Sequence, residues 1–175
     1  PTNRDWFLAL NSATSYVPSG IWATVTMLGD GAILLLVISP LLCSLPKAWW
    51  AAIASVPFAG AYSALGKDWA AVPRPAAVLD HGTFTIIGDA LTGPNSFPSG
   101  HSITVFAAVA AVLATLSFRS RAQQSTLMVG GLVFALVVCV SRVAVGAHWP
   151  LDLLAGAFGG SLAGLVGAAV VRRLS

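Results

Sequence analysis

Five apolar stretches decide what this chain can become. They cover roughly residues 20–42, 48–65, 99–118, 126–145 and 150–171. A helix that crosses a bilayer needs about 17–25 mostly apolar residues, and each stretch meets or approaches that length. Charge is correspondingly scarce: 9% of the residues are charged, against about 25% in a soluble globular protein. The sequence therefore predicts an all-α integral membrane protein, a bundle of about five transmembrane helices forming one domain over residues 1–175. The net charge of +3 is small and no Lys/Arg cluster offers a track for phosphates, which argues against nucleic-acid binding. Cys43 and Cys139 fall in apolar runs and read as small buried hydrophobes. The first residues show no signal-peptide pattern.

Between and around the spans, residues 1–18 are too short and polar to cross, and with Trp6, Phe7, Leu8 and Leu10 they are expected to form an interfacial helix. Residues 66–97 form the one long polar interval, an external loop punctuated by Gly and Pro with room for a short helical turn. Lys47, Arg119, Arg121, Arg172 and Arg173 fall on one side of a five-span arrangement, which the positive-inside bias makes cytoplasmic. Asp30 lies inside the first span, where an ionisable group is costly. A hydrogen bond to a neighbouring helix is its expected role, with substrate binding as the alternative. Gly156, Gly160 and Gly164 recur every fourth residue and predict close helix packing within the monomer. Pro57 is expected to bend the second span. Trp22, Trp49, Trp50, Trp69 and Trp149 fall near span ends, as in an aromatic belt. His81 is expected to be a solvated loop residue.

Three short stretches share the outer face of this arrangement: "KDWAAVPRP", "SFPSGH" and "SRVAVGAHWPLD". Arg74 and Arg142 bring planar forks of donors that match phosphate oxygens, and Lys67 adds a compact charge. Ser99 supplies a hydroxyl. Gly100 opens a helix whose first N–H groups are unpaired, and it lacks the Cβ that would hold an anion away. Pro150 fits the first turn of a helix, so Asp152, four residues after His148, can reach back to one imidazole nitrogen and leave the other for a phosphorus atom. His148 is thus the better nucleophile. His101 has no carboxylate at such spacing and is better suited to protonating a leaving group. Pro75, Pro98 and Ser141 complete the stretches as supporting residues.

The order Lys, six residues, Arg-Pro; Pro-Ser-Gly-His; Ser-Arg, five residues, His, three residues, Asp is complete between Lys67 and Asp152. It resembles the type 2 phosphatidic acid phosphatase superfamily, in its membrane-integral bacterial lipid phosphatase branch. That resemblance implies a phosphatase needing no metal or other cofactor, working through a phosphohistidine. His148 would be the nucleophile oriented by Asp152, and His101 the general acid. Lys67, Arg74, Ser99, Gly100 and Arg142 would hold the phosphate. It also implies a multi-pass protein of a bacterial inner membrane with the site facing the periplasm or exterior, where its partners are the bilayer and a lipid phosphate. Undecaprenyl pyrophosphate is the first expectation for the substrate. Lipid A, phosphatidylglycerol phosphate or phosphatidic acid are alternatives, and a non-catalytic transporter or a vanadate haloperoxidase remote ones. The oligomeric state is left open.

Overall fold

The structure is a computed structural model and describes residues 2–80 and 82–174; the expectation for His81 lies outside them. The described residues form nine helices and no strand: α1 (Asn3–Thr14), α2 (Ser19–Met27), α3 (Gly31–Ile38), α4 (Leu41–Ser44), α5 (Pro46–Ala70), α6 (Pro75–Val78), α7 (Gly100–Thr115), α8 (Arg121–Ala144) and α9 (Pro150–Leu174). Helices α8 and α9 are each long and apolar enough to cross a membrane. Helix α7 has 16 residues, about 24 Å at 1.5 Å per residue, short of a bilayer's roughly 30 Å hydrocarbon core. Helix α5 has the length, 25 residues, but carries Lys47, Lys67 and Asp68 near its ends. Pro57 sits inside it without interrupting it.

The first expected span is broken. Helices α2 and α3 pass as one span only together, and they meet at a 77° bend. Asp30 makes the break: its Oδ1 accepts from the N–H groups of Ala32 (2.9 Å) and Ile33 (3.1 Å), capping α3. The expected bond to a neighbouring helix is replaced by this local one, because a carboxylate beside Gly29 and Gly31 meets free backbone donors closer at hand.

The glycine stripe of α9 packs inside the monomer. A Cβ on Gly160 would lie 2.3 Å from the Ile103 carbonyl oxygen, and one on Gly164 2.3 Å from that of Ala107. A second stripe faces α5, where a Cβ on Gly167 would meet the Ala51 carbonyl oxygen at 2.4 Å. Helices α5, α7 and α9 thus share an alanine-lined seam of Ala51, Ala52, Ala111 and Ala168. The larger core gathers at one end, around Phe7, Leu79, Val105, Val138, Val143, Trp149 and Leu153. Leu36, Leu132, Leu154, Phe158 and Leu165 stay exposed around the circumference, as expected of surfaces that meet lipid.

Two expectations change. Trp149 is buried, with Phe7 5.2 Å away, and donates from Nε1 to the Pro73 carbonyl at 2.8 Å, so it locks two loops together and is not part of a belt. Cys43 is exposed, since α4 lies on the surface, whereas Cys139 is buried as expected. Helix α1 does more than lie in an interface. Its Phe7 and Asn11 are buried, and Asn11 Nδ2 donates to the carbonyls of Val143 (2.9 Å) and Thr85 (3.0 Å).

Candidate active site

At the end of α8 the chain turns through Gly146, whose φ of +79° suits glycine, and enters α9 through Trp149 and Pro150. Asp152 lies in the first turn, where its Oδ2 accepts from the Trp149 N–H at 2.9 Å, the carboxylate arm of a capping box. The same oxygen accepts from Ser96 Oγ at 2.5 Å and faces His148 Nδ1 at 3.4 Å. Ser96 Oγ is itself 3.4 Å from Nδ1. Ser96, His148 and Asp152 are all buried. Two acceptors therefore face Nδ1, which favours the tautomer with its proton there and leaves the Nε2 lone pair free. Burial pushes the His148 pKa down to about 4, with Arg142 and Arg74 adding to the lowering and Asp152 opposing it. The ring is neutral at neutral pH.

Nε2 faces cations. Arg74 Nη1 lies 3.5 Å away and also donates to the Ala147 carbonyl at 3.2 Å, while Nε donates to Asn95 Oδ1 at 3.2 Å. Burial lowers the Arg74 pKa and the Asp152 charge opposes this. Arg142, near the end of α8, is buried; Nη1 donates to Thr26 Oγ1 at 2.5 Å, and Nε has no partner among the described residues. An orphaned guanidinium donor is expensive to bury unless a ligand takes it. Lys67 stands in the last turn of α5.

Opposite lies the start of α7. Ser99 caps it, with Oγ accepting from the Ser102 N–H at 3.5 Å, and its own N–H donates to the Asp152 carbonyl at 3.0 Å. A Cβ on Gly100 would meet no protein atom within 4 Å, so the space beside this backbone is open. No hydrogen bond to His101 is seen among the described residues, and Gly29 packs on its ring: a Cβ there would come within 2.7 Å of His101 Cβ and Cδ2. Pro98 and Pro75 are buried beneath these loops. Ser141 points back into α8, donating to the Val138 carbonyl at 2.6 Å.

Main-chain bonds knit the three stretches together. Arg74 N–H donates to the Gly93 carbonyl (3.2 Å) and Ser96 N–H to that of Val72 (2.9 Å). The fold thus gathers His148, Asp152, Arg74, Ser99, Gly100, His101 and Arg142 at one end of the bundle. Ser96, Thr26 and Asn95 belong to the same region and were not singled out in the sequence, and Gly29, which packs on His101, was not expected at the site. Ser96 sits two residues before Pro98, and that proximity was its only signal. Thr26 carried none, because its partner Arg142 is 116 residues away, and Gly29 only its place beside Asp30, where a glycine allows close helix approach or a kink.

A helical membrane bundle with a cationic, two-histidine site at one end defines an anion-processing membrane protein. The profile of the PAP2 superfamily matches residues 48–175, and the chain belongs to that superfamily. It is 42% identical over 73 residues to the putative undecaprenyl-diphosphatase YbjG of Escherichia coli, covering 42% of this chain and 31% of that one. It is 40% identical over 110 residues to the lipid A 1-phosphatase of Rhizobium etli, covering 61% and 43%. The chain spans less than half the length of the curated relatives it matches. The crystal structure of Aquifex aeolicus LpxE superposes with a TM-score of 0.79 at 22% identity, over 94% of this chain and 93% of that one, a likeness of fold.

Proposed function

We propose that this protein is a metal-independent lipid phosphatase that transfers a phosphoryl group to His148 and then to water. The observation that carries this reading is the orientation of one imidazole. Nδ1 is turned to Asp152 and Ser96, and Nε2 to Arg74. In this mechanism Nε2 attacks phosphorus as a neutral base would, and Asp152 offsets the charge that the ring gains. Arg74, Arg142 and Lys67 take the phosphate oxygens, with Ser99 and the Gly100 N–H. They stabilise a loose transition state largely by position and charge. His101 protonates the departing oxygen, and then activates the water that cleaves the phosphohistidine.

The site belongs at the rim of the bilayer, where a headgroup reaches it while the chains stay in lipid. By the positive-inside bias this is the outer face of a bacterial inner membrane. The names of the relatives divide between diphosphate and monophosphate lipids, so the proposed class covers both. The test is phosphate release from a panel of purified lipid phosphates in detergent micelles. Release by the parent protein and none by a folded His148→Ala variant is expected; full activity in that variant overturns the nucleophile.

A further inference from the structure

A void of about 390 Å³ lies between α3, α5 and α7, and His101 forms part of its wall. That volume falls within the roughly 300–1,000 Å³ of small-ligand sites. Below His101 the lining is almost wholly apolar or small: Leu34, Leu35, Ile38, Val56, Ala59 and Ala108. The exposed side chain of Val56 shows that the void lies against the lipid-facing surface. Arg74, Arg142 and Lys67 are absent from its lining, and the one charged side chain there is the acid Asp30. Oδ1 of Asp30 holds the first N–H groups of α3, and no bond to Oδ2 is seen among the described residues. The dipole of the eight-residue α3 offsets part of this charge, but it brings no cation.

We infer that this void receives the alcohol side of the substrate, and that Asp30 makes the enzyme prefer a lipid phosphomonoester over a lipid diphosphate. The inference rests on the proposed function, with phosphorus at His148 and the leaving oxygen at His101. In a monoester, the group beyond that oxygen is carbon, which the apolar wall accepts. In a diphosphate it is a second phosphate, placed beside the Asp30 carboxylate and apart from Arg74, Arg142 and Lys67, with the proton of His101 as the one positive charge in the lining. Like charges juxtaposed are disfavoured.

The test compares a polyprenyl monophosphate with the diphosphate of the same chain, in the same micelles. The parent protein is expected to favour the monophosphate in kcat/KM by on the order of tenfold, the factor carried by about 1.4 kcal/mol. Asp30→Asn keeps a cap of equal quality and removes the charge; Asp30→Ser does the same with a smaller group. Both variants are expected to shrink the preference several-fold, through a gain on the diphosphate. A parent preference for the diphosphate, an unchanged ratio in the variants, or equal loss on both substrates overturns the inference. Release of phosphate from neither substrate by the folded parent would instead count against the phosphatase reading.

Discussion

Ser96 Oγ donates to Asp152 Oδ2 at 2.5 Å and stands 3.4 Å from His148 Nδ1, so one buried hydroxyl touches both members of the His–Asp pair. It reaches them from a different loop, 52 residues before His148. The carboxylate is thereby held from two directions, by this hydroxyl and by the Trp149 N–H.

Replacing Ser96 by Ala removes a hydrogen bond to a charged group, worth about 1.5–3 kcal/mol. If that bond orients the imidazole for attack, kcat falls roughly 10- to 150-fold. Steady-state kinetics on a lipid monophosphate should show the loss in kcat with KM little changed. An unaltered kcat would make Ser96 a packing residue alone.

Acid should act through His148. Its folded pKa of about 4 lies below the ordinary value of 6.5, so between these values the unfolded chain binds a proton that the native ring refuses. Stability therefore falls as pH drops through this window, on the order of 1.4 kcal/mol per pKa unit, and that loss is absent above about 6.5. Thermal unfolding at pH 7 and pH 5 should show a steeper decline in the parent than in His148→Gln. The acid limb of kcat/KM governed by this ring should also lie well below 6.5.

Gly29 offers a way to disturb the proposed acid without replacing it. A methyl group there would press on the His101 ring. Gly29→Ala should slow hydrolysis of lipid alkyl phosphates, whose alcohol leaves poorly, by up to the roughly 100-fold or more that acid catalysis supplies. An aryl phosphate such as p-nitrophenyl phosphate needs less protonation and should lose much less. Equal losses on the two substrates would separate Gly29 from leaving-group chemistry.

Thr26 takes one donor of Arg142, whose Nε is already without a partner. Thr26→Val leaves the guanidinium less well placed, and vanadate, a phosphate mimic, should inhibit about tenfold more weakly, the effect of losing one charged hydrogen bond. Inhibition at the parent concentration would rule out that role.

Two glycines should respond in opposite directions. Gly160→Ala drives a methyl into the Ile103 backbone and should cost about 1–3 kcal/mol by overpacking. Gly130→Ala in α8 meets nothing within 4 Å and should add about 0.5–1 kcal/mol by helix propensity. Thermal unfolding in detergent reads both signs.

The sequence alone determined what depends on composition and short spacing. Long apolar runs permit helical spans, and a His and an Asp four residues apart at a helix start are within reach of each other. The glycine stripe of α9 was legible for the same reason, because helical periodicity puts every fourth residue on one face. Tertiary structure decided what depends on distant segments meeting. It brought Ser96 to Asp152 and Gly29 to His101, and it buried Trp149 against Phe7 and Pro73. None of these contacts has a period or a spacing in the chain. Small residues let α5, α7 and α9 pack closely, and the loops that carry Ser96 and Trp149 meet at one end of that bundle.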